Sequence, residues 1–317
     1  MSSTGDGPRG DPVVTAARPR EERTALGLAT MAGAVAFFTC IDTSAKWLIL
    51  GGLPAIQVVF ARYAGHFILS LALFLPAEGG GAFRSARPWL QALRSFALLG
   101  STALNFTALN YLPITVTTTI MFAGPVMVTL LSIPVLGERV GIRRMTAICV
   151  GFLGVIVVVQ PWGAQFHWAM LLSVGALLCA SLYFVLTRMI AGAESTATSQ
   201  LWSSGLASAA LIPFAWSVWT WPDTWLGYVI LGAIGVFGGI GHIFATVAHR
   251  YADASVLAPV VYVQLFFASF AGIMVFATYP TAWTLAGALI IIGSGVYIWH
   301  NERRRGKARG HPPGAER

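Results

Sequence analysis

Ten apolar runs follow one another along this chain, at 25–50, 54–75, 89–110, 114–134, 141–160, 166–188, 196–219, 224–249, 255–277 and 281–300. A helix needs about 20 mainly apolar residues to cross a bilayer. In lipid, only helices and closed barrels satisfy their own backbone, so runs of this length predict ten transmembrane helices. Connections as short as 51–53 and 112–113 make consecutive helices antiparallel neighbours. Only 10% of the residues are charged, against about 25% in a soluble domain. Lipid must cover what polar side chains cannot, which defines an all-α integral membrane protein.

The basic residues test the span count. Arg9, Arg18, Arg20 and Arg23 precede span 1; Arg84, Arg87 and Arg94 lie between spans 2 and 3 or at the start of span 3. Arg139, Arg143 and Arg144 surround the connection from span 4 to span 5, Arg188 follows span 6, Arg250 follows span 8, and six more form the tail after span 10. With ten spans, all of these fall on one side of the membrane. The positive-inside rule then places both termini in the cytoplasm. The expected location is a bacterial inner membrane, since the basic residues are nearly all arginine, as in GC-rich genomes. Residues 1–23 are polar, with proline, glycine and arginine, and read as a disordered cytoplasmic N-terminus. The apolar run that follows is too long for a signal peptide. Residues 301–317 read as a basic cytoplasmic tail. The formal charge of +8 does not imply nucleic acid, because the basic residues are scattered over connections and tails rather than set on one face. Cys40, Cys149 and Cys179 form no metal or CxxC spacing and read as small packing residues. No metal and no cofactor are expected, and the oligomeric state is left open.

Two passages of the chain are alike. Ala108, Tyr111 and Val116 recur as Ala248, Tyr251 and Val256, and Gly154 and Val155 recur as Gly295 and Val296 with one residue inserted between. The repeat divides the spans into halves, 24–163 and 164–300. Five is odd, so the second half enters the membrane from the opposite side. Two inverted five-helix repeats related by an in-plane axis are a transporter architecture, because they can exchange inward- and outward-open shapes.

Three short motifs carry a family likeness: Ala108-Leu-Asn-Tyr-Leu-Pro113, the Gly124-Pro125 pair in span 4, and Leu136-Gly-Glu138 before span 5. With the repeat, they resemble the ten-helix, EamA-type members of the drug/metabolite transporter superfamily over residues 25–300. In the second half, Ala277-Thr-Tyr-Pro280 stands where Leu-Gly-Glu would recur, so the halves are expected to be functionally unequal. The resemblance implies an alternating-access exporter of small molecules, amino acids first, with the aromatic amino acid exporters as the nearest likeness. A carrier of another metabolite, such as a nucleotide sugar, is the alternative within the class. A polyamine carrier is disfavoured by the few acidic residues in the spans. A membrane-embedded enzyme is disfavoured because HExxH, GxxxxGK[ST] and GxSxG are all absent. No enzyme activity is expected.

Charges inside the spans mark the candidate site, since each costs on the order of 3 kcal/mol in hydrocarbon. Asp42 and Lys46 stand one turn apart in span 1, and Arg62 lies in span 2. Asp42 and Arg62 are equally far from the turn near Gly52, so an antiparallel hairpin sets them level. They form either a structural ion pair joining spans 1 and 2, or a binding or coupling site. The same register puts Lys46 opposite apolar Val58. It either snorkels to the interface or holds a substrate carboxylate. Asn105, Tyr183 and Tyr262 are polar residues deep in spans 3, 6 and 9, needing either interhelical partners or a substrate. Phe122, just before the Gly124-Pro125 pair, is a candidate pocket wall. His66, His242 and His249 are packed histidines or a proton relay. His242 is the more interesting, inside the glycine-rich run 235–241. Tryptophans near span ends read as interface anchors.

Overall fold

Among the described residues all ten runs are helical, and two of them are broken. The computed structural model describes residues 24–136, 141–160, 163, 166–190, 193–251 and 257–309. The helices are α1 (Thr24–Leu50), α2 (Ala55–Glu78), α3 (Pro88–Leu109), α4 (Ile114–Met121), α5 (Gly124–Leu136), α6 (Ile142–Val159), α7 (Ala169–Ile190), α8 (Thr196–Ser217), α9 (Trp225–Tyr251), α10 (Gln264–Phe276) and α11 (Ala282–Arg309). Span 4 is α4 plus α5, interrupted at Phe122 and Ala123. Pro125 sits in the first turn of α5, where the missing N–H has no intrahelical partner to lose. Span 9 is a 3-10 segment, Ala258–Val263, continued by α10. The two broken spans are the ones that exchange under a fourth-for-ninth repeat. α11 runs through the basic stretch to Arg309, beyond the expected end at 300. The expectations for 1–23 and for the last residues of the tail lie outside the described residues.

The packing obeys the repeat. Span 1 lies against span 8 as span 6 lies against span 3; span 2 packs on span 8 as span 7 packs on span 3; span 4 meets span 6 as span 9 meets span 1. The remaining large contacts, span 2 with span 7 and span 5 with span 10, map onto themselves. Small residues allow the close approaches. A Cβ on Gly235 of α9 would come within 2.5 Å of the Gly65 Cα on α2, and one on Gly241 would strike the Phe38 ring. The glycine-rich run is therefore a packing surface.

The connections sort by side as a ten-span path requires. At one end, Ser85 before α3 donates to the Glu194 carboxylate at 2.6 Å, and Ser195 donates to Glu78 at 3.1 Å. At the other end, the buried Gln57 holds the α8–α9 connection by accepting from the Thr220 N–H at 2.9 Å and donating to its carbonyl at 2.6 Å. There too Tyr111 stacks on His167 at 5.4 Å. Gly52 closes the first hairpin in the left-handed region (φ 95°), and Leu53 N–H bonds back to the Leu48 carbonyl at 3.1 Å. Trp89, Trp168, Trp221 and Trp225 are exposed near helix ends, as interface anchors would be. Cys40 and Cys149 are exposed on outer helix faces rather than packed, and Cys179 alone is half-buried.

Candidate functional site

A cavity of about 540 Å³ lies between the two halves, within the range of small-molecule sites. The first half contributes Phe38 and Asp42 from α1, Arg62 from α2, Thr102 and Asn105 from α3, and Thr118 and Phe122 around the break in span 4. The second half contributes Tyr183 and Phe184 from α7, His242 from α9 and Gln264 from α10. Of the expected site residues, Asp42, Asn105, Phe122, Tyr183 and His242 meet here.

Asp42 accepts a hydrogen bond from the Asn105 amide at 3.1 Å. The expected ion pair with Arg62 is not formed. Arg62 Nη1 donates instead to the Thr102 hydroxyl at 3.1 Å, with the guanidinium carbon 4.8 Å from the centre of the Tyr63 ring. The physical reason is the course of the helices. α1 lies mainly along α9, while α2 lies along α8 and α9, so the first hairpin is splayed and its level residues do not touch. Arg62 and Asp42 face the same cavity with separate partners.

Lys46 does not line the cavity. It is buried, and its ammonium donates to the Leu109 carbonyl at 3.0 Å and to the Leu112 carbonyl. These are acceptors left free by the end of α3. Lys46 neither snorkels nor faces a substrate; it caps α3. Tyr262 is also set back from the cavity. It meets the Phe122 ring edge-on at 5.3 Å, and its hydroxyl occupies the space a Cβ on Gly295 would fill. Tyr262 fixes the wall that Phe122 presents.

Arg94 was expected among the loop arginines, yet it is buried in the bundle. Its guanidinium donates to Thr187 at 2.8 Å, Ser203 at 2.8 Å, Gln91 at 3.0 Å, the Ser199 carbonyl at 3.2 Å and the Tyr183 hydroxyl at 3.1 Å. It thus fixes the phenol that Tyr183 presents to the cavity, and ties α3 to α7 and α8. The signal was legible: Gln91, Arg94 and Ser95 share one face of a span that otherwise reads apolar.

His66 stacks on His242 at 5.5 Å with an interplanar angle of 8°, and Phe38 packs against His242 at 5.2 Å. The side chain of His249 lies outside the described residues. Three buried polar atoms of cavity-lining residues have no partner: Arg62 Nε, Asn105 Oδ1 and Thr118 Oγ1. Among the described residues, no group of three or more His, Cys, Asp or Glu side chains is placed to hold a metal ion.

Two exchangeable five-helix halves around a cavity with a polar pole and aromatic walls define a membrane transporter. Both halves match the model of the EamA-like transporter family, over residues 25–160 and 167–299, and the chain belongs to that family. It is 29% identical to a riboflavin transporter of Rhizobium johnstonii, over 89% of this chain and 94% of that one. It is 26% identical to an S-adenosylmethionine uptake transporter of Rickettsia prowazekii (80% and 85%), and 27% identical to the pseudopaline exporter CntI of Pseudomonas aeruginosa (76% and 84%). A solved crystal structure shares the fold with a TM-score of 0.59 at 18% identity, covering 87% of this chain and 98% of that one. None of these three relatives is named for amino acids.

Proposed function

We propose that this protein carries a small organic metabolite with a flat apolar ring and a polar end by alternating access of its two halves. The observation that carries this reading is the cavity: it draws lining residues from both halves, with its charged groups, Asp42 and Arg62, on spans 1 and 2, and Phe38, Phe106, Phe122, Tyr183 and Phe184 supplying ring surface. Aromatic amino acids are one class that fits, and their export is the narrower form of the reading. The names of the relatives, which include ring compounds and both uptake and export, support the broader form.

The protein sits in a bacterial inner membrane with both termini in the cytoplasm, an orientation supported by the arginine distribution. Repeats 24–163 and 164–300 are the moving bodies. Leu48, Leu53, Leu109 and Ile114 belong to one packed cluster around the ends of α1 and α3 that this orientation places outside. The cavity-lining Met31, Val35 and Ala245 lie toward the ends of α1 and α9 that this orientation places in the cytoplasm.

The test is transport by the purified chain in liposomes, with radiolabelled tryptophan, phenylalanine, riboflavin and leucine. Saturable counterflow of ring compounds in preference to leucine is the expected result. Equal counterflow of leucine, or none of any compound, refutes the reading.

A further inference from the structure

The polar pole of the cavity holds a guanidinium with unfilled valences. Among the described residues, the charged side chains buried in the spans are Lys46, Arg62 and Arg94, against the half-buried carboxylate of Asp42. Lys46 is occupied by the carbonyls that end α3. Arg94 is occupied by five neutral acceptors. Arg62 is not so provided. It is 6% exposed, it lines the cavity, its Nη1 has one hydroxyl, and its Nε has no partner. A guanidinium presents five N–H donors in a rigid fork, and leaving such donors buried and unmade is costly. Asp42, the nearby carboxylate, spends an oxygen on Asn105 instead.

We propose that Arg62 is the seat of a carboxylate on the substrate, so that the carrier holds ring compounds that bear a carboxylate more tightly than the same compounds without it. This rests on the cavity being the substrate site. The Nε edge of a guanidinium matches a planar carboxylate through two parallel hydrogen bonds, and charge-assisted pairs of this kind are the strong ones. The substrate ring then lies among Phe38, Phe106, Phe122 and Tyr183. An amine that lacks a carboxylate can offer its ammonium to Asp42 but leaves the Arg62 guanidinium unmade, whereas an amino acid serves both groups. Selection against a ligand by unpaired charge is an effective route to specificity.

Three compounds share one ring and differ in charge: indole-3-propionate, tryptophan and tryptamine. Their binding to the purified full chain in lipid nanodiscs is measured by isothermal titration. Tryptophan, which keeps the ammonium of tryptamine and adds a carboxylate, is expected to bind at least about tenfold more tightly than tryptamine, and indole-3-propionate to bind by its carboxylate alone. Arg62→Gln should abolish that preference, and Arg62→Lys should retain part of it. Tryptamine binding as tightly as tryptophan to the unaltered protein overturns the seat and leaves the ring-carrier reading standing. So does a preference for tryptophan over tryptamine that survives in a folded Arg62→Gln protein. Binding of none of the three overturns the ring-carrier reading and the seat with it. The comparison on the unaltered protein decides the matter even where Arg62→Gln fails to fold.

Discussion

The Lys46 ammonium on α1 lies 3.0 Å from the carbonyl oxygen of Leu109, the last residue of α3, and also reaches the Leu112 carbonyl in the turn that follows. The last carbonyls of a helix carry the negative end of its dipole, and here they are buried. A cation supplied from another helix both satisfies them and opposes that charge. The Phe276 ring of α10 lies 5.4 Å away. One side chain thereby joins spans 1, 3 and 9 beyond the cavity.

Lys46→Met keeps the length of the side chain and removes its donors. Two buried carbonyls lose their partner, at about 1–3 kcal/mol. The expected outcome is a lower melting temperature in detergent, with binding of cavity ligands per folded molecule unchanged. A variant that melts like the parent but binds its ligands weakly would return Lys46 to the substrate site.

The glycines of α9 offer a controlled pair. A Cβ at Gly235 would lie 2.5 Å from the Gly65 Cα, whereas one at Gly232 meets nothing within 4 Å. Gly235→Ala should push α9 off α2 and cost about 1–3 kcal/mol, as overpacked sites do. Gly232→Ala should be neutral or stabilise by up to about 1 kcal/mol through helix propensity. Thermal melts of the two variants decide it, and equal melting temperatures would show that the α2–α9 contact is looser than described.

Run length and charge placement carried most of the architecture into the sequence. The spans read at 25–50 and 89–110 became Thr24–Leu50 and Pro88–Leu109, because a lipid-covered helix must be apolar along its whole length. What a linear reading lacks is azimuth. Asp42 and Arg62 can be placed at one depth by counting from Gly52, but whether they touch depends on how far the hairpin opens, and α9 occupies the space beside α1. Lys46 was isolated in the sequence for the same reason: its acceptors lie on α3, which no local pattern brings to α1. Arg94 was misplaced because its partners, Thr187, Ser199 and Ser203, lie in the other half of the chain.

Sidedness is open to direct measurement. Ser85 and Ser195 belong to connections that hydrogen-bond at one end of the bundle, while Gly52 and Thr220 lie at the other. In a background with Cys40, Cys149 and Cys179 replaced by alanine, single cysteines at positions 85 and 195 should resist an impermeant maleimide in intact cells and react after permeabilisation. Cysteines at 52 and 220 should react in intact cells. Labelling of 85 and 220 from the same side would break the ten-span path.

Asp42 supplies the remaining prediction. Its carboxylate faces the cavity and accepts from Asn105 at 3.1 Å. Arg62, on the neighbouring helix, lines the same cavity without pairing to it. If Arg62 seats the carboxylate of an amino acid, Asp42 is the group that receives the ammonium. A charge-assisted hydrogen bond of that kind is worth about 1.5–3 kcal/mol, or roughly 10- to 150-fold in affinity. Asp42→Asn keeps the shape and removes the charge. Tryptophan should therefore bind more weakly to Asp42→Asn by a factor in that range. Indole-3-propionate has no ammonium to lose, and its carboxylate no longer meets a like charge across the cavity, so it should bind as tightly or more tightly. Titration of both ligands against both proteins reads the crossover. Parallel weakening of the two would show that Asp42 acts by positioning Asn105 rather than by holding the ammonium.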